Sequence, residues 1–381
     1  MSVFDFDRPV NRRNTASLKW DKYAGRDILP MWVADMDFVS PPAVIDALRE
    51  RIDHGVMGYT RPPLSLVETV VEVLKQRYGW EIEPEWILWL PGLVTGLNVA
   101  CRSVGGDGDA VVTATPVYPP FLHAPPLAPR TLVSIPLLLD DKGWHWDLAQ
   151  FEANLTPRTH LLLLCSPHNP VGRAFHREEL LNLMAICERH DIIVCSDEIH
   201  GDLILEPGRR HIPTATVSPV SQERCITLMA PSKTFNLPGL GCAFAVIPNE
   251  ALRRRFRKTM TGIVPSVNLL GYTAAEAAFR HGWDWHRELL DYLRQNRDLV
   301  YQAISRMPPL KTFLPEATYL TWIDARDMEV ANPAAFFEAA GVGLSDGKDF
   351  GAEGWLRLNF GCRRALLEEA LGRMRQAIEK R

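Results

Sequence analysis

Three polar residues sit just beyond apolar runs that read as strands: Asn169 after LLLLCSPH, Asp197 after IIVCS and Lys233 after ITLMAPS. Ligands of open α/β sheets bind outside the carboxyl ends of the strands, so residues at consecutive strand ends can converge on one crevice. Their types form a chemical set. An amine can form an imine with an aldehyde and then remove and return a proton at the adjacent carbon. A carboxylate can keep a pyridine nitrogen protonated, and a neutral amide can tune the imine through a nearby ring oxygen. Singly, each has a plainer reading: a surface lysine, a helix N-cap with Glu198 in the first turn, and a turn at Asn169-Pro170. Only the ordered set on successive strand ends favours chemistry.

A fourth candidate lies near the C-terminus. In WLRLNFG, alternation places Leu356, Leu358 and Phe360 on one face and Arg357 with Asn359 on the other. A guanidinium inside a strand needs an anionic partner, because burying it unpaired is costly. Either a structural carboxylate or the carboxylate of a ligand would serve.

The elements that must position these residues follow from apolar patterning. Ala110–Thr113, Leu161–Cys165, Ile192–Ser196, Cys225–Met229 and 242–247 are short apolar runs without alternation, as expected of strands covered on both faces. Helical spacing over Arg177–Arg189 lies between two of them, which makes a strand–helix–strand unit. Helices are also expected over 41–54, with Val44, Ile45, Leu48 and Ile52 inward, and over 64–78, 284–306 and from 364. Further strands are expected near 319–324 and 355–360. The fold class is α/β: a large domain (46–283) with a mainly parallel, mixed sheet sandwiched by helices. A smaller α+β domain would combine the N-terminal segment (1–45) with residues 284–381.

Composition narrows the function. Lys+Arg number 42 and Asp+Glu 46, a formal charge of −4 that points to no polyanion partner. The short cluster Arg253-Arg254-Arg255, Arg257, Lys258 reads as a solvated helix face. The seven cysteines have no metal-type spacing and lie mostly in apolar runs, which fits a reducing compartment. No secretory h-region and no stretch of about 18 apolar residues is present, so the expectation is a cytoplasmic protein without a metal, nucleic-acid or membrane partner.

Longer strings carry a resemblance. SPHNPVGR (166–173), SDEIH (196–200) and APSKTFN (230–236) resemble the pyridoxal-5′-phosphate (PLP) enzymes of fold type I, in the class I/II aminotransferase family. MWVADMDF (31–38), GYT (58–60), PVYPPF (116–121) and RLNFGC (357–362) narrow it to the C–S lyase branch of cystathionine β-lyases. The similarity runs in order from about residue 17 to the C-terminus.

The resemblance implies that Lys233 carries PLP, Asp197 faces its ring nitrogen, and Asn169 lies near its ring oxygen. It implies that Tyr118 stacks on the ring, and that Leu93 and Val94 offer backbone N–H groups to the phosphate, joined by Ser232. Tyr59 would reach the phosphate in the neighbouring subunit of a homodimer. Arg357 and Asn169 would clamp the substrate carboxylate, with Trp32 and Ala34 lining the mouth. His200 would be a cofactor neighbour where many aminotransferases have tyrosine. One departure stands out: Gly241 occupies the position where many aminotransferases place a phosphate-binding arginine. The implied reaction is α,β-elimination on L-cystathionine or another cysteine S-conjugate. Transamination, or a regulatory role without turnover, are the alternatives.

Overall fold

The computed structural model describes residues 4–140 and 143–381. Its main sheet has seven strands in the order Ile87–Leu90, Ala243–Val246, Cys225–Met229, Ile193–Asp197, Thr159–Cys165, Ala110–Thr115, Thr131–Pro136. Neighbours are parallel except Ala243–Val246, which runs antiparallel to both of its partners. The run of leucines at 161–164 shows why the strands lack alternation. Leu162 and Leu164 join one hydrophobic core, Leu161 and Leu163 another on the opposite face, and all four are fully buried. Both faces are covered, so charged residues have no place until the strand ends, and the strand interiors admit only hydroxyl side chains such as those of the buried Thr113 and Thr227.

The connecting helices turn one stripe inward. Arg177–Arg189 buries Leu180, Leu183, Met184, Ile186 and Cys187, and starts with Glu179 folded back on the backbone of His176. Helix Leu64–Tyr78 stops at Gly79, whose φ of +65° is the left-handed conformation glycine takes readily. Helix Pro42–Asp53 departs from its expected stripe: Val44 is buried, but Ile52 is 53% exposed. Its last turn and the chain that follows, through Val56, Met57, Tyr59 and Leu64, present apolar side chains to solvent. Several elements had no counterpart in the sequence reading, among them the strands Ile87–Leu90 and Thr131–Pro136, the hairpin Leu138–Asp140 with Gly143–His145, and helix Leu269–His281.

A second, antiparallel sheet orders Lys311–Thr312, Leu320–Asp324, Trp355–Asn359 and Ser345–Asp346. Residues 29–31 are tied beside it: Leu29–Pro30 pairs in parallel with Val342–Gly343 as a separate two-stranded ribbon, and the Asn359 N–H of the second sheet donates to the Met31 carbonyl at 2.9 Å. Residues 31–38 are thereby carried across to the ends of the main strands. Among the described residues no helix is long and apolar enough to cross a membrane.

Candidate active site

Parallel pairing brings the expected residues together. Asp197 is the last residue of its strand and pairs with Cys165 on one side and Leu228 on the other. Asn169 follows the first neighbour by a short loop. Lys233 follows the second in a single helical turn, Pro231–Thr234. A cavity of about 350 Å³ opens there, and its lining includes Lys233, Asp197, Asn169, Tyr118, His200 and Arg357. Ala34, Leu93, Val94, Ser232 and Gly241 line it as well.

Arg357 enters from the second sheet. Its Nη1 donates to Asn169 Oδ1 at 3.0 Å and its Nη2 to the Trp32 carbonyl at 2.8 Å and Ser345 Oγ at 3.4 Å. The guanidinium lies over the Phe350 ring at 4.7 Å, and its Nε is buried without an acceptor. Among the described residues no carboxylate lies within ion-pair distance, so the buried cation is held by neutral groups alone. Burial pulls it down to about 10.

The other charges are also left incomplete. Asp197 is buried with one hydrogen bond, from the Ile199 N–H at 3.1 Å, which makes a turn rather than a helix cap. Burial pushes its carboxyl up to about 7, with Glu198 adding to this and Lys233 opposing it. Lys233 falls to about 8, first through desolvation and further through Arg357, against the pull of Asp35 and Asp197. Its Nζ donates to the Ala34 carbonyl. His200 is driven down to about 3 by desolvation and the cations Lys233 and Arg357, so its ring is neutral, and its Nδ1 has no partner.

These features fit PLP. Asp197 lacks a cationic partner, which a protonated pyridine nitrogen supplies. Helix Leu93–Ser103 begins at the cavity with no side chain capping it, so its first N–H groups are open to a phosphate. The missing arginine is explained at Gly241: its φ is +58°, and a Cβ there would come within 3.2 Å of the Pro91 carbonyl.

Two expected residues fall outside the cavity. Tyr59 is fully exposed on its own chain. Trp32 turns its indole away, donating from Nε1 to the Lys19 carbonyl at 3.1 Å; it is its carbonyl that touches Arg357. Sequence reasoning passed over several supports. Tyr319 is buried, donates to the Ala34 carbonyl at 2.9 Å, and meets His200 edge-on at 6.1 Å. Asn359 holds the carbonyls of Val33 and Asp35 at 2.6 and 2.7 Å. Asn236 brackets Met36, accepting from its N–H at 3.0 Å and donating to its carbonyl at 2.9 Å. Both asparagines lie inside quoted strings, and the period-2 pattern had put Asn359 beside Arg357. Nothing local marked Tyr319.

An α/β sheet with lysine, aspartate and asparagine at adjacent strand ends, beside an uncapped helix start, defines a PLP-dependent enzyme of fold type I. The family described as aminotransferase class I and II matches residues 26–374. The chain is 38% identical to cystathionine beta-lyase PatB of Bacillus subtilis, over 98% of this chain and 100% of that protein. The crystal structure of OvoB superposes with a TM-score of 0.97 at 50% identity, covering 98% of this chain and 99% of that one. The PLP-bound C–S lyase from Staphylococcus hominis gives a TM-score of 0.92 at 31% identity, with 98% of each chain covered. The chain belongs to the class I and II aminotransferase family, on its C–S lyase branch.

Proposed function

We propose that this enzyme cleaves the Cβ–S bond of L-cystathionine or a related cysteine S-conjugate, releasing a thiol, pyruvate and ammonia. The observation that carries the reading is Arg357: a buried guanidinium without a carboxylate, bonded to Asn169 and opening on the cavity that holds Lys233 and Asp197. A substrate α-carboxylate completes its hydrogen bonding.

PLP, when bound, supplies an electron sink for the pair left at Cα once its proton is removed. The chain does the rest. Lys233 is the attachment point and, with its amine drawn down to about 8 so that a substantial share is unprotonated near that pH, the base that takes the Cα proton. Asp197 holds the proton on the ring nitrogen. Leu93 and Val94 N–H groups and the Ser232 hydroxyl hold the phosphate, and the Tyr118 ring flanks the pyridine. Arg357 and Asn169 fix the carboxylate, which orients the Cα–H bond toward Lys233. The carbonyl of Ala34 receives the lysine amine when it is free, and Tyr319 holds that carbonyl in place. His200 is a neutral neighbour of the cofactor.

The active unit in this reading is a homodimer. Exposed Tyr59, on an apolar arm with Val56 and Met57, reaches the phosphate in the neighbouring subunit. That contact compensates in part for the arginine that Gly241 excludes. The direct test is purified PLP-loaded enzyme with L-cystathionine and no added keto acid. Pyruvate and free thiol in equal amounts support elimination. Turnover only when a keto acid is supplied assigns transamination instead.

A further inference from the structure

A second cavity, about 250 Å³, is lined by none of the residues around Lys233. It lies where the end of helix Leu64–Tyr78 meets the loop after Asp197 and helix Trp283–Ile304. Four guanidinium groups line it, those of Arg77, Arg209, Arg210 and Arg294, against one carboxylate, Asp202. His211 also lines it, with Nε2 bonded to Glu198 at 2.6 Å.

The hydrogen bonds leave donors over. Arg209 is taken up by Glu316 at 2.9 Å and the Ala174 carbonyl. Arg77 donates through Nε to Asp202 at 2.7 Å, is also in hydrogen-bonding reach of Tyr78, and rests on the Trp283 ring at 3.8 Å. Arg294 uses Nε on the Leu205 carbonyl and Nη1 on Asp291, which leaves Nη2. Arg210 is exposed and has no hydrogen bond or ion pair among the described residues. Glu316, Asp291 and Glu198, which pair with Arg209, Arg294 and His211, lie outside the lining, so within the cleft itself Asp202 is the one carboxylate facing the arginines.

Guanidinium groups thus converge from a helix end, a loop and a second helix, with open donors on Arg210 and Arg294. A planar carboxylate is met by one such fork; several forks from different directions suit a tetrahedral oxyanion with acceptors all round. We infer that this cleft binds a phosphate group, free or as the head of a small phosphomonoester. The inference does not rest on the lyase reading.

The test uses PLP-loaded enzyme, so that the cofactor's own phosphate occupies its site, at constant ionic strength. Calorimetric titration with inorganic phosphate, and separately with glycerol 3-phosphate, should show saturable binding. Arg210→Ala should weaken it several-fold and Arg210→Glu about tenfold or more, with phosphate-free lyase activity unchanged. Tighter binding of the ester identifies a phosphorylated metabolite as occupant; equal binding identifies free phosphate. No saturable binding of either probe, or equal affinity in wild type and Arg210→Glu, overturns the assignment.

Discussion

Asp37 and Asp197 are both buried aspartates, and they keep opposite company. Around Asp37 every charge is met: Lys19 Nζ at 2.8 Å, Arg12 at 2.7 Å and the Trp20 indole N–H at 2.8 Å. Burial alone would push that carboxyl up, but Lys19, Trp20 and Arg12 outweigh it and hold it low. Around Asp197 there is one backbone N–H, and the carboxyl rises to about 7. Arg357 and Lys233 share that unpaired state. The first cluster anchors the segment 31–38; the second is a set of charges waiting for partners. Buried charge that is fully paired fixes structure, whereas buried charge left open marks where a ligand completes the pairing.

Substitutions should separate the two regions. The largest effect is expected at Lys233→Ala, which removes the base and should lower pyruvate formation at least about 10³-fold, while the fold persists. Arg357→Leu should lower kcat/KM by about two orders of magnitude. In denaturant unfolding of the apo form it should leave stability unchanged or raise it, because an unpaired buried cation is replaced by an apolar side chain. Lys19→Met should do the reverse. It strands Asp37, so the chain should lose about 3–5 kcal/mol of stability, and any fall in activity should track unfolding. If Arg357→Leu destabilised as strongly as Lys19→Met, the contrast between the regions would collapse.

The pH behaviour sharpens the same contrast. Asp37 has a depressed value in the folded protein, so its contribution is present above the ordinary carboxylate range and lost as pH falls through the folded value. Asp197 is raised: in the apo protein its contribution is present at low pH and lost as pH rises toward and through about 7. Lys233 is lowered to about 8, so the rate at which apo enzyme takes up PLP should climb with pH and level off above that value. An ordinary lysine would keep the rate rising to about pH 10. The smallest effect is expected at Tyr319→Phe, which removes the hydroxyl on the Ala34 carbonyl and should reduce kcat several-fold, about 1 kcal/mol, with KM nearly unchanged.

The parallel strands at the centre were legible in the sequence because coverage on both faces leaves an uninterrupted apolar run ended by a polar residue. That same logic placed Asn169, Asp197 and Lys233 together. Strands that lie at an edge, such as half-exposed Thr131–Pro136, leave no such mark. Neither does the hairpin ending at His145, whose strands are three residues each. Arg357 was recognisable as a strand residue needing a partner, but its actual partners, Asn169 and the Trp32 carbonyl, are distant in the chain. Trp32 was misplaced for a related reason: its string marks a segment at the site, and only packing decides which atoms face inward. The carbonyls of Val33, Ala34 and Asp35 are held by Asn359 and Tyr319, contacts that no local pattern encodes.

The central claim is that one lysine amine, opposite a buried carboxylate, carries the cofactor. Loading the enzyme with PLP, reducing it with borohydride and mapping the modified peptide by mass spectrometry tests this directly. A single pyridoxyl group on Lys233, absent from Lys233→Ala, is the expected result. Modification of a different lysine, or a protein that takes up no label after loading, would contradict it.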